Sequence, residues 1–203
     1  MSQVIYLPLA SCTVMPWKNG GGTTTEIFRR DDPADSGRFL WRISVADIGA
    51  AGPFSAFDGY RRVISVIQGE GMVLTIDGED SPPLHTGQAW PFSGASEVDC
   101  RLIDGPVRDL NLIYAEGQVV ADVSWHQGER WYMQETTEAD VLVVFVQSGS
   151  VELSLADTAW SLQPLDTLVV ERSASHVPSM LKLITAAAST VCIMKLVFRS
   201  APV

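Results

Sequence analysis

The residues best suited to chemistry in this chain are cations and amides beside glycines in its first half. Lys18 and Asn19 precede three consecutive glycines at residues 20–22. Glycine reaches positive φ and lets backbone amides approach a ligand closely, so this segment is a candidate anion-binding loop. A phosphate-binding P-loop is excluded, because the lysine precedes the glycines and residues 23–28 are typical of a strand. A plain turn between two strands is the alternative.

A second candidate is the alternating segment at residues 40–46. Its period of two places Trp41, Ile43 and Val45 on one face of a strand and Arg42, Ser44 and Ala46 on the other. If the second face lines a barrel, Arg42 can hold a carboxylate through two parallel hydrogen bonds, and its small neighbours leave room for the ligand. If that face points to solvent, Arg42 is an ordinary surface charge.

Two further polar residues interrupt apolar strands. Arg62 begins the apolar run at residues 62–67, and Asn111 lies within the segment Asp-Leu-Asn-Leu-Ile at residues 109–113. A buried polar side chain needs a hydrogen-bond partner, and a ligand can be that partner. Arg61 and Arg62 are adjacent, so the phase of the strand decides which of them points inward.

Metal binding and nucleophilic catalysis have little support. The three histidines, His85, His126 and His176, form no His-x-His pair, and no Gly-x-Ser-x-Gly segment is present. We therefore predict no metal, no cofactor and no catalytic residue. His85 is the natural base for an alternative, metal-independent enzyme, but residues 82–87 are typical of a turn.

Composition narrows the class of protein. The chain has 203 residues, a formal charge of −10 and 46% hydrophobic residues, which argues against nucleic-acid binding and against disorder. Its three cysteines form no CxxC pair, which favours a reducing compartment. No leader or apolar run long enough for a membrane span is apparent. We expect a soluble, cytoplasmic protein that does not associate with membranes.

The hydrophobic pattern predicts an all-β fold. Met72–Ile76 and Val151–Leu155 alternate, whereas residues 62–67 and 141–146 are continuous apolar runs closed by turns. The best helical stripe spans residues 181–189, whose alanines can equally join two strands.

An internal repeat predicts the architecture. Residues 63–76 can be laid on residues 142–155, with Gln68 on Gln147. Strand, glycine turn, alternating strand and turn are typical of a small cupin or jelly-roll barrel. We predict a bicupin, with one barrel at residues 1–116 that carries the ligand pocket and a second at residues 117–203. One large β-sandwich is the alternative.

Taken together, the motifs of residues 14–113 resemble the HutD/Ves family. They are Met-Pro-Trp-Lys-Asn-Gly-Gly-Gly-Thr at 15–23, Trp-Arg-Ile-Ser-Val-Ala at 41–46, Gly-Pro-Phe-Ser-Ala-Phe-Asp-Gly at 52–59 with Arg62, Phe-Ser-Gly at 92–94 and Asp-Leu-Asn at 109–111. The resemblance implies two RmlC-like barrels without the usual cupin metal ligands. It also implies a regulatory role in bacterial histidine utilisation, as a governor that binds an intermediate such as formylglutamate or urocanate.

We therefore predict a non-enzymatic binding protein for a small anionic metabolite. Its ligand-binding residues are expected to be Trp17, Lys18, Asn19, Arg42, Ser44, Phe54, Arg62 and Asn111. The cations would pair with carboxylates, the asparagines would bind an amide or ring nitrogen, and the aromatic residues would form an apolar wall. A metal-independent isomerase or hydrolase acting on a small carboxylate is the alternative. Action through a protein partner and a homodimer are also compatible with the sequence.

Overall fold

The computed structural model describes residues 3–18, 20–135, 138–172 and 180–199, without the side chains of residues 130–135. The described chain is all-β, with nineteen strands, one short 3-10 turn at Leu9–Ser11 and no α-helix. No helix within these ranges is long and apolar enough to cross a membrane. The chain divides into two compact units, which we call the N-terminal unit, residues 12–119, and the C-terminal unit, residues 3–11 and 120–199.

The N-terminal unit contains two sheets. The larger has the strand order β2-β3-β4-β11-β6-β9 and the smaller has the order β5-β10-β7-β8. The strands are β2 (Thr13–Pro16), β3 (Gly22–Asp32), β4 (Asp35–Ile48), β5 (Gly52–Pro53), β6 (Tyr60–Gln68), β7 (Met72–Ile76), β8 (Glu79–Asp80), β9 (Trp90–Ser93), β10 (Val98–Leu102) and β11 (Val107–Ala115).

The C-terminal unit is also built from two sheets. Their strand orders are β1-β17-β14-β19-β12 and β13-β18-β15-β16. The strands are β1 (Gln3–Leu7), β12 (Val119–Gln127), β13 (Arg130–Glu135), β14 (Val141–Ser148), β15 (Val151–Leu155), β16 (Thr158–Leu162), β17 (Thr167–Glu171), β18 (Met180–Thr185) and β19 (Thr190–Phe198).

The two units share one topology. The order β9-β6-β11-β4 recurs as β17-β14-β19-β12, and β5-β10-β7-β8 recurs as β13-β18-β15-β16. Each strand from β4 to β11 thus corresponds to the strand eight places later in the chain. The strands β1, β2 and β3 are additions to this shared topology. This correspondence fits the predicted bicupin, and the chain does not form one large sandwich.

The first strand, β1, does not belong to the unit to which the predicted domain boundary assigns it. β1 forms five antiparallel pairs with β17, from Gln3 opposite Glu171 to Leu7 opposite Thr167. The Tyr6 hydroxyl also donates a hydrogen bond of 2.6 Å to Asp166. Residues 3–11 therefore belong to the C-terminal unit, and a first barrel that begins at residue 1 is wrong at its start. The sequence does not reveal this because the pairing joins segments about 160 residues apart.

The predicted alignment of the two copies of the repeat is also wrong by one residue in the first strand of each copy. Val66 and Val146 both belong to the hydrophobic cores of their units, as do Met72 and Val151. Six positions separate Val66 from Met72, but five separate Val146 from Val151, because the second turn is shorter. Laying Gln68 on Gln147 is therefore wrong for the first strand of the pair. At residues 181–189, the structure has most of β18, which ends at Thr185, and a turn into β19.

The interiors of the units are filled differently. Aliphatic residues of β14, β15, β17, β18 and β19 pack into one continuous core in the C-terminal unit. The core of the N-terminal unit contains Ile64, Val66, Met72 and Leu74, and the partly buried Trp17 packs against it. A cavity remains beside this core of the N-terminal unit.

The small space around Gly22 shows how tightly the β2–β3 hairpin packs against β4. A Cβ at Gly22 would overlap the backbone oxygen of Asp47 and lie 3.1 Å from the Trp17 ring, whereas a Cβ at Gly52 would meet nothing within 4 Å. Because overpacking forces backbone shifts, we expect Gly22→Ala to lower the free energy of unfolding by about 1–3 kcal/mol. Gly52→Ala should change it by less than about 0.5 kcal/mol. Urea denaturation of both variants is the measurement, and equal effects would contradict this packing.

Candidate functional site

A cavity of about 560 Å³ lies within the N-terminal unit. Its walls come from the β2–β3 hairpin, the larger sheet and the segment after β5. The lining residues are Pro16, Trp17, Lys18, Thr24, Arg42, Ser44, Ala46, Pro53, Phe54, Ser55, Phe57, Arg62, Asp109 and Asn111. Seven of the eight residues predicted from sequence are among them. The eighth, Asn19, lies outside the described residues.

Strand register explains why the polar side chains meet. Asn111 lies opposite Ser44 on β4 and opposite Ile64 on β6, while Ile113 lies opposite both Arg42 and Arg62. Residues paired across antiparallel strands point to the same face of the sheet. Arg42, Ser44, Arg62 and Asn111 therefore share the face that borders the cavity, and Arg42 does not lie on an ordinary solvent face.

Arg42 is held at the cavity by a weak ion pair and by aromatic rings. Its side chain is 17% exposed, and Nη1 lies 3.9 Å from Glu26 Oε2. The guanidinium carbon lies 5.6 Å from the centroid of Phe39 and 5.2 Å from that of Phe57. Burial lowers the pKa of Arg42, and among the described residues its Nε has no hydrogen-bond partner. An anionic ligand can supply that partner.

Arg62 is the more deeply buried cation. Its Nη1 donates a hydrogen bond of 3.2 Å to the Ser55 carbonyl, and three phenylalanine rings lie within 5.5 Å of its guanidinium carbon. Nε has no partner. Burial lowers the pKa of Arg62 to about 10, so the group is still charged at neutral pH. Of the two adjacent arginines, Arg62 lines the cavity and Arg61 does not.

Asp109 is the principal residue that the sequence analysis did not single out. It is 1% exposed and lines the cavity, and no residue in the described ranges donates a hydrogen bond to its Oδ1. Burial raises the pKa of Asp109 to about 7, the positive charge of Arg62 opposes that rise, and the negative charge of Asp47 adds to it. The signal was present in the sequence, because Asp109 shares the alternating face of Asn111.

The β2–β3 hairpin contributes an aromatic side chain, Trp17, and a third cation, Lys18, to the lining of the cavity. The backbone N–H of Trp17 donates to the Gly22 carbonyl at 2.9 Å, and the Trp17 indole donates to Thr24 Oγ1 at 2.8 Å. These bonds place the partly buried Trp17 ring and the exposed Lys18 along the cavity. The glycine segment thus forms a turn between two strands, and the side chains of Trp17 and Lys18 beside it line the cavity.

His85 is placed away from the cavity. It is exposed, its Nδ1 lies 3.0 Å from the Glu70 carbonyl oxygen, and it is not a lining residue. In the part of the chain that the structure describes, no three His, Cys, Asp or Glu side chains cluster as they would around a metal ion.

The same positions are apolar in the C-terminal unit. Register from the core pair Val66 and Val146 aligns Arg62 with Leu142, Asn111 with Ile193 and Asp109 with Val191. These three aliphatic residues are buried in the core of that unit. The barrel therefore does not need charged or amide groups at these positions in order to fold.

Comparison with known proteins finds relatives in bacteria. It is 45% identical over 157 residues to an uncharacterised 21.2 kDa protein of the hutC 3′ region of Pseudomonas putida, covering 77% of this chain and 80% of that one. It is 32% identical over 149 residues to the protein Ves of Citrobacter koseri, covering 73% and 75% of the two chains.

Solved structures agree with these matches. HutD from Pseudomonas fluorescens SBW25 has a TM-score of 0.81 and 37% identity, covering 98% of this chain and all of the other. A salicylate 1,2-dioxygenase from Pseudoaminobacter salicylatoxidans, at 7% identity and a TM-score of 0.62, shares the cupin fold alone. The HutD family profile matches residues 9–192. The chain belongs to the HutD family.

Proposed function

We propose that this protein is a non-enzymatic sensor that binds a small carboxylate metabolite of histidine degradation, formylglutamate or urocanate. Membership of the HutD family suggests a role in histidine utilisation. The proposed role is to limit induction of the pathway in response to the level of the bound intermediate.

One observation carries this proposal. Lys18, Arg42 and Arg62 converge on a single cavity, and both arginines retain an N–H group that no side chain or backbone group of the described chain accepts. A carboxylate supplies acceptors of the geometry that a guanidinium prefers. Trp17 and Phe54 supply apolar wall area, which a small ligand needs for burial of its carbon chain.

The expected affinity is modest. A hydrogen bond to a charged group contributes roughly 1.5–3 kcal/mol. Two or three such contacts, less the free-energy cost of association, correspond to dissociation constants in the micromolar to millimolar range. That range suits a sensor of a metabolite, because occupancy then follows its concentration.

Arg42→Ala tests the proposal by isothermal titration calorimetry. Wild-type protein is expected to bind formylglutamate or urocanate, and the variant about tenfold more weakly or worse, because one charged contact is lost. Arg101→Ala is the control, since Arg101 pairs with Asp80, is 62% exposed and does not line the cavity. Unchanged affinity of Arg42→Ala would remove this residue from the site, and absence of binding by wild-type protein would refute the proposed function.

A second candidate function is a metal-independent enzyme acting on a small carboxylate. Asp109 favours it, because a buried carboxyl group with a pKa of about 7 beside a ligand cavity is suited to general acid–base catalysis. Incubating the protein with each pathway intermediate and following products by mass spectrometry separates the two functions. Binding without turnover supports the sensor, and product formation that Asp109→Asn abolishes supports the enzyme.

A further inference from the structure

We propose that Asp109 makes the site selective for carboxylates that carry an N–H group, by accepting a hydrogen bond from that group. This inference rests on the proposed function, because it concerns the same cavity. It narrows the ligand to an N-acylated amino acid or a nitrogen heterocycle with a carboxylate, as opposed to a simple dicarboxylate.

The first step is that Asp109 is not required by the fold. The equivalent position of the C-terminal unit is Val191, which is fully buried in an aliphatic core. Burial of a carboxylate costs free energy, whereas the equivalent valine of the C-terminal unit packs into an aliphatic core without that cost. A role in binding accounts for the acid.

The second step is that the protein leaves an acceptor free. In the described part of the chain, Asp109 Oδ1 has no hydrogen-bond donor, although the side chain is only 1% exposed and lines the cavity. Asn111 Oδ1, two residues along the same strand face, is also without a donor. A buried acceptor requires a donor, and an N–H group of a ligand in the cavity can supply it.

The third step concerns the polarity of the ligand. The cations Lys18, Arg42 and Arg62 favour carboxylate oxygens, whereas the carboxylate of Asp109 repels them. A ligand that satisfies both sets of groups has acceptors at one end and an N–H donor directed at Asp109. A site built to hydrogen-bond one substrate group discriminates strongly against an analogue that lacks it, because its own polar group is then buried without a partner.

Matched ligand pairs test this selectivity by calorimetry at pH 8, above the pKa of Asp109. One pair is formylglutamate and 2-formyloxyglutarate, in which oxygen replaces N–H. The other is urocanate and 3-(furan-2-yl)acrylate, whose ring has no N–H. We expect wild-type protein to prefer the N–H member of a pair by about tenfold or more, and Asp109→Val to bind both members with affinities within about threefold.

Control variants distinguish a loss of selectivity from a loss of charge or of folding. Asp47→Asn also removes one negative charge near the site, but Asp47 does not line the cavity, so the preference should persist. If Asp109→Val fails to fold, Asp109→Asn replaces it, and its neutral acceptor should reduce the preference measurably. Equal wild-type affinity within a pair, or a full preference in the Asp109 variants, would overturn this inference while leaving carboxylate binding intact. Wild-type protein that binds no member of either pair would overturn the proposed function and this inference together.

Discussion

Arg62→Met is expected to weaken binding of formylglutamate or urocanate by about 30-fold or more. Truncating one partner of a buried, hydrogen-bonded charge pair costs about 2–5 kcal/mol, and 2 kcal/mol corresponds to roughly 30-fold in affinity. Arg62 should exceed Arg42 in effect because it is the more deeply buried of the two and lies among three phenylalanine rings. Calorimetric titration at neutral pH gives the two dissociation constants.

Arg61→Met is the matched control for this prediction. Arg61 is the adjacent residue of the same strand, but it lies on the opposite face of β6 and does not line the cavity. Its replacement should leave affinity within about twofold, as expected for a surface change away from the site. Arg62→Lys retains the charge and should bind with intermediate affinity, because lysine lacks the planar fork of donors. Equal losses for the Arg61 and Arg62 variants would refute the assignment.

Asp109→Asn is expected to change how stability depends on pH. Burial raises the pKa of Asp109 from 3.8 to about 7, so the folded state favours the protonated acid. Below about pH 3 both the folded and the unfolded state hold the proton, and the group has no effect on stability. As pH rises from about 4 to about 7, the unfolded state gives up its proton first, and wild-type protein loses stability through this group.

The expected size of this effect is about 3 kcal/mol between pH 4.5 and pH 8. A shift of one pKa unit is worth about 1.36 kcal/mol, and a part of the total is already lost at pH 4.5. The free energy of unfolding of Asp109→Asn, relative to wild type, should therefore rise by that amount over the interval. Urea denaturation at the two pH values measures it. A relative stability that is independent of pH would show that Asp109 titrates normally.

Local patterns in the sequence determined the fold class and most of the site. Strict alternation places Arg42 and Ser44 on one face of β4 and Trp41 and Ile43 on the other, whatever lies beside the strand. The same alternation, with glycine turns, indicates strands throughout and the repeated strand pairs of the two units. Charged and amide residues within apolar strands also indicate the residues that line the cavity, because burial of such groups demands partners.

Tertiary structure alone decided which residues meet across strands. β1 pairs with β17 in the other half of the chain, and a turn shortened by one residue shifts the second copy of the repeat. Folding raises the pKa of Asp109 to about 7 by burying it, with the negative charge of Asp47 adding to the rise and the positive charge of Arg62 opposing it. Backbone pairing, register and desolvation depend on neighbours distant in sequence, and a single strand's pattern of side chains does not encode which neighbours those will be.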